Sequence, residues 1–137
     1  MSDTFSNVVE CASIEANEYP QELHVRSHVL RADVGLESGS TDSAPSPHDY
    51  FDSALAACKA LTAIWYAKRH GIPLEWVATR VERDDSGERK GKYHLRVHLD
   101  FQGPLSGEQR TTLERVVAAC PIHKLMTRTE IEIETVV

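Results

Sequence analysis

Ser46-Pro47-His48-Asp49-Tyr50-Phe51-Asp52-Ser53-Ala54-Leu55-Ala56-Ala57-Cys58-Lys59-Ala60-Leu61-Thr62-Ala63-Ile64-Trp65-Tyr66-Ala67-Lys68-Arg69-His70-Gly71-Ile72-Pro73 reads as one long helix with both ends marked. Ser46 is a cap, Pro47 suits the first helical position, and Asp49 puts negative charge in the first turn. Lys68, Arg69 and His70 complement the dipole at the other end, where Gly71 and Pro73 stop the helix. Between these ends apolar residues run round nearly the whole circumference, from Tyr50 and Phe51 to Trp65, Tyr66 and Ala67. A helix apolar all round is buried on all sides. One sheet covers one side, so a second subunit is expected on the rest, and the chain is expected to be a dimer.

Strands and shorter helices flank this helix. Residues 5–16 read as a first strand and Asn17 to Pro20 as a turn. From Gln21 to Asp33 one strand is expected, with Leu23, Val25 and Val29 on one face and His24, Arg26 and His28 on the other. Gly35 to Pro47 is a loop rich in Gly, Ser, Asp and Pro, long enough to suggest a lid or site wall, or else a plain connector. Leu74 to Asp84 is a strand, and 85–91 a polar turn. Next, Tyr93, Leu95, Val97, Leu99 and Phe101 alternate strictly with polar residues, as in an antiparallel strand with one core face. His94 and His98 fall on its solvent side. Ser106 and Gln109 form a capping box for a helix carrying Leu113, Val116, Val117 and Cys120, and Pro121 breaks it and starts a further turn. Ile131, Ile133, Thr135 and Val137 alternate with Glu130, Glu132 and Glu134 in an expected last strand. The fold class is α+β, with antiparallel sheets around a long buried central helix. No repeat or linker divides residues 1–137, so a single domain is expected.

Composition narrows the function. The 137 residues are 41% hydrophobic and 26% charged, ordinary for a soluble globular protein. A net charge of −6 argues against nucleic acid as a partner. No stretch approaches the roughly 20 apolar residues of a membrane span, and Met1-Ser2-Asp3-Thr4 does not open a signal peptide. A cytoplasmic protein is expected. Its three cysteines do not make a secreted disulfide framework. Cys11 reads as a small packing residue.

Cys58 and Cys120 are the chemical candidates. Cys120 precedes Pro121, so it can cap the following helical turn, where free N–H groups favour a thiolate; His123 and Lys124 would act in the same direction. Cys58 lies three turns inside its helix, where burial would raise its pKa. Its reactivity would need an Arg or Lys from elsewhere in the fold or from a partner. Cys120-x-x-His123 has a metal-like spacing but no second such pair nearby, which leaves zinc as the minor alternative; no metal and no cofactor are expected.

Ser46-Pro47, Ala54 to Thr62, Tyr66 to Glu75 and Cys120-Pro121-Ile122-His123-Lys124-Leu125 together resemble the OsmC/Ohr family of thiol-dependent peroxidases, over about residue 20 to the C-terminus. The resemblance implies an intertwined homodimer with two sites built from both chains. It implies that Cys58 attacks an organic hydroperoxide and becomes a sulfenic acid, that Cys120 resolves it to a disulfide, and that an external thiol or dithiol restores both. Members of the family also use an Arg and a Glu near the first sulfur. Here the Glu position is His48, beside Asp49, and Arg26 and Arg31 are the candidate arginines. Phe51 and Trp65 are the candidate substrate-lining residues. Oxidative-stress defence is the role implied. Two other readings share the fold: a non-catalytic small-ligand-binding protein and a redox sensor using the same cysteines.

Overall fold

A computed structural model describes residues 4–5 and 7–137; Met1, Ser2, Asp3 and Ser6, which fall in the leader and first-strand readings, lie outside the described residues. The fold is mixed α+β with antiparallel sheets. The chain forms two compact units, residues 1–51 and 52–137, with the long helix α1 (Pro47–His70) running through the boundary.

The first unit carries an antiparallel meander of β1 (Val9–Ser13), β2 (Gln21–Val25) and β3 (His28–Ala32), in the order β1-β2-β3. Asn17, at φ 62, lies in the turn between β1 and β2. The single strand expected over Gln21–Asp33 is a hairpin instead. Val25 pairs with His28, which leaves Arg26-Ser27 as a two-residue loop. Arg26 sits at φ 55, a position that hairpins usually give to glycine. The turn is imposed by the paired strands rather than announced by its own residues.

The loop after β3 is not a plain connector. Asp33 is buried, and its carboxylate accepts the Val34 N–H at 2.7 Å, the Ser40 hydroxyl at 2.5 Å, and the Ser43 N–H and hydroxyl at 2.9 and 2.6 Å. The Asp33 N–H in turn donates to the Pro45 carbonyl. These hydrogen bonds, first those from Ser40 and Ser43, hold the Asp33 carboxyl well below the usual carboxylate range. A depressed folded-state pKa contributes stability that is present above the unfolded value, about 3.9, and lost as pH falls through the folded value. Asp33→Ala should therefore lower the melting temperature at neutral pH by roughly 5 °C or more. The gap to wild type should close as the pH is taken below 4. Thermal melts at pH 7 and in the acid range check this, and an equal gap at both ends would refute it.

At the start of α1 the expected cap is present and reciprocal. The Asp49 N–H donates to Ser46 Oγ and the Ser46 N–H to Asp49 Oδ2, at 3.2 and 2.9 Å. The far end closes as a Schellman turn: Gly71 takes φ 62 and the Ile72 N–H reaches back to the Ala67 carbonyl.

The second unit holds the rest of α1, the hairpin of β4 (Trp76–Asp84) and β5 (His94–Gln102), then α2 (Gly107–Val117) and α3 (Pro121–Arg128). Strict alternation on β5 meets its partner in register, with Val77 opposite Phe101, Thr79 opposite Leu99 and Val81 opposite Val97. This face and the helices share a core of Ala63, Ala67, Phe101, Leu113 and Val117. On the outer face His98 hydrogen-bonds Glu82 and, with Arg80 and Arg96, holds its carboxyl below the usual range. The Ser106–Gln109 capping box opens α2 as expected.

Two expectations meet a different structure. Within α1 the buried residues are Leu55, Lys59, Ala63 and Ala67, a stripe at four-residue spacing, while Leu61 and Trp65 are more than half exposed. The chain by itself thus covers one side of the helix. The expected last strand, 131–137, takes no strand pairing among the described residues, and Ile131 and Ile133 are exposed. Alternation makes a strand only where a sheet edge satisfies its N–H and C=O groups.

Candidate functional site

The two cysteines singled out by the sequence come together inside the second unit, and the N-terminus of α3 is what joins them. Cys120 is the N-cap of α3 and Pro121 its first residue, as the sequence implies. Pro121 has no N–H to offer, so the first free donor of the helix is that of Ile122. It points at Cys58 Sγ, at 3.4 Å. Half-buried Cys58 also has Thr62 Oγ1 one turn on, at 3.9 Å. Cys120 is fully buried, and its thiol lies within hydrogen-bonding reach of Cys58. All three cysteines are free thiols, Cys11 being exposed on β1.

The expectation that Cys120 ionises readily does not hold. Burial pushes its thiol up, the Cys58 contact adds to that, and the His123 backbone amide and the Lys59 ammonium only partly offset them. The Cys120 side chain makes no hydrogen bond that caps the helix. Desolvation outweighs the helix terminus. Nor is His123 a cationic helper. Burial, then Lys59 and Arg128, hold its pKa below the usual value, so it is neutral at pH 7, and Lys124 is exposed.

The cation beside these groups is Lys59, which no sequence motif marks as a site residue. Lys59 follows Cys58 in the chain, lies on the buried stripe of α1, and is only 5% exposed. Its Nζ donates to the Val117 carbonyl at 2.7 Å and lies 3.1 Å from His123 Nδ1. The signal was available: Lys59 is the only charged residue between Asp52 and Lys68, spaced by four from Leu55 and Ala63.

The remaining candidates lie as follows. Arg26 occupies the β2–β3 turn, and Arg31 is exposed on β3, its carbonyl accepting the Tyr50 hydroxyl. Arg31 also lines a cleft of about 230 Å³ with Ile14, Ser40 and Ser43. His48 is exposed in the first turn of α1, and Asp49 is engaged in its capping box. All four belong to the first unit, as does Phe51. Trp65 lies two helical turns beyond Cys58, half-exposed, with the Arg69 guanidinium 4.8 Å over its ring. Among the described residues no group of three or more His, Cys, Asp or Glu side chains is placed to hold a metal ion. None of their helices is long and apolar enough to cross a membrane.

The structure is a mixed α+β fold with one free cysteine inside a long helix and another capping the helix that meets it. The model of the family described as OsmC-like protein matches residues 39–136, and the chain belongs to that family. No curated protein matches it. Among solved structures, an OsmC-like protein from Mycoplasma pneumoniae is 18% identical, with a TM-score of 0.72 over 92% of this chain and 90% of its own. An organic hydroperoxide resistance protein OsmC from Legionella pneumophila is 19% identical, with a TM-score of 0.62 over 93% of each chain. The organic hydroperoxide resistance protein OhrB of Bacillus subtilis is 17% identical, with a TM-score of 0.59 over 92% of this chain and 93% of its own. At these identities the likeness carries the fold.

Proposed function

We propose that this protein is a two-cysteine thiol peroxidase for organic hydroperoxides. The observation that carries the reading is the meeting of two reduced sulfurs at the start of α3, with the Ile122 N–H donated to Cys58. Cys58, half-buried where Cys120 is closed off, is the sulfur a peroxide reaches. Its thiolate attacks the terminal peroxide oxygen: an S–O bond forms, the O–O bond breaks, and the alkoxide takes a proton and leaves as alcohol. Cys58 is then a sulfenic acid. Cys120 attacks that sulfur, the S–S bond forms, and the hydroxide leaves with the Cys120 proton as water. An external thiol or dithiol supplies two electrons and two protons to restore both thiols, chemistry suited to a reducing cytoplasm.

A homodimer belongs to the same proposal. Leu61 and Trp65 form an exposed apolar stripe on α1, which a second copy would cover, and substrate-lining roles for Phe51 and Trp65 and thiolate support from Arg26 or Arg31 would be completed there. The buried, raised thiol of Cys120 also favours a second reading, a redox sensor that forms the disulfide once and turns over slowly.

Intact-mass analysis after one equivalent of tert-butyl hydroperoxide separates these. Wild type should lose two hydrogens, Cys120→Ser should gain one oxygen on Cys58, and Cys58→Ser should stay unchanged. Repeated cycling with a dithiol marks the peroxidase; a single disulfide with negligible turnover marks the sensor. Wild type that stays reduced while a simple thiol oxidises would end both.

A further inference from the structure

Lys59 is a buried cation. Its two neighbours, the Val117 carbonyl and His123 Nδ1, are neutral groups. Among the described residues no carboxylate forms an ion pair with it. Leaving an ammonium in such surroundings is costly unless a negative charge faces it. Packing alone does not explain the choice, since the stripe it shares with Leu55, Ala63 and Ala67 would accept a methionine or leucine.

Of the groups that can become anions, the Cys120 thiol feels the Lys59 charge, and Cys58 is the chain neighbour of Lys59. The Val117 carbonyl that accepts Lys59 Nζ also accepts the Cys120 N–H at 3.3 Å, so one oxygen holds the ammonium and the Cys120 backbone together. Cys58 precedes Lys59 on α1, and His123 stands on the first turn of α3. The charges acting here are therefore Lys59 from α1, Arg128 from α3, and the negative end of the α2 dipole at Val117.

We propose that Lys59 is the positioning residue of this site: its fixed ammonium is the built-in counter-ion for one thiolate of the Cys58–Cys120 pair. By bridging Val117 and His123 it also ties the end of α2 to the start of α3, which keeps the Ile122 N–H on Cys58. The His123 ring accepts the ammonium through Nδ1 and carries its own proton on Nε2. The charge role holds in the reduced protein whether or not peroxide is the substrate. Only its effect on peroxide turnover rests on the function proposed above.

The test is a thiolate titration by absorbance at 240 nm, in a Cys11→Ser background so that only the pair is read, together with NMR titration of His123. Lys59→Met should raise the first thiol midpoint by about one pH unit, which is tenfold less thiolate at a given pH below it. It should also let the His123 pKa rise, because one repelling charge is gone. Lys59→Arg should hold the thiol midpoint near that of wild type. Far-UV circular dichroism establishes that the variants are folded; if the methionine variant is not, Lys59→Gln, a neutral donor, is read in its place. A midpoint that stays or falls in the folded neutral variant overturns the proposal. If the midpoint moves while wild type ignores peroxide, the counter-ion stands and the peroxidase reading falls. If wild type forms the disulfide but the midpoint does not move, the reverse holds.

Discussion

Gly103→Ala should destabilise the protein by about 3–5 kcal/mol, although it adds a single methyl group. Gly103 directly follows β5 and takes φ 140, a region closed to residues with a Cβ. The added carbon would stand 2.3 Å from the Pro73 carbonyl oxygen and 3.1 Å from the Glu75 nitrogen. Both are backbone atoms, so no side chain can swing aside. Relief requires parting the two chain segments, and the Glu75 N–H to Gln102 carbonyl bond at 2.9 Å lies in the way. That bond stands next to the Trp76–Gln102 pair at which the hairpin begins, so strain there reaches the first rungs of the ladder. Urea unfolding followed by fluorescence of the tryptophans, Trp76 among them, measures the loss. A change below 1 kcal/mol would mean that the close approach is not kept in solution.

Leu113→Ala should cost a similar amount, about 3–4 kcal/mol. Leu113 is fully buried on α2 and packs in the cluster with Ala63, Ala67, Phe101 and Val117. Ala63 and Ala67 come from α1 and Phe101 from β5, and these backbones are fixed by helix and hairpin. The vacancy therefore cannot close by a small shift, and the residual cavity adds to the lost transfer energy. Leu113→Met, which keeps the volume, should cost less than about 1.5 kcal/mol. Parallel urea curves with unchanged slope would place the effect in the native core. Equal losses for the two variants would instead point to a disturbance of α2 itself.

How far the sequence reached follows from what each signal depends on. The caps of α1, the Ser106–Gln109 box and the alternation of β5 are local, so their residues state their own conformation. The meeting of Cys58 and Cys120 was expected only through family resemblance, because no spacing connects two positions 62 residues apart. Arg26-Ser27 hid a hairpin because its residues are not turn formers; the pairing of β2 with β3 overrides them. The acidic–apolar alternation of 130–137 described a strand whose partner the described residues do not provide. The helix cap, a local feature, implies an easy ionisation for Cys120, while its burial comes from tertiary packing. Lys59 was quoted within its motif, but its part depends on Val117 and His123, contacts that an α1 pattern cannot contain.

The carboxylate hub at Asp33 has a practical consequence. The Asp33 N–H to Pro45 carbonyl bond shuts residues 33–45 into a loop whose ends meet, and the groups that fill its centre come from within it. Such a segment is a cassette. It can be transplanted with its own fastening if both ends and the two serines travel together, whereas a replacement loop matched only in length would arrive without its clasp. Peptide insertions are best placed at its outer bend near Leu36, which is 76% exposed, away from the clasp.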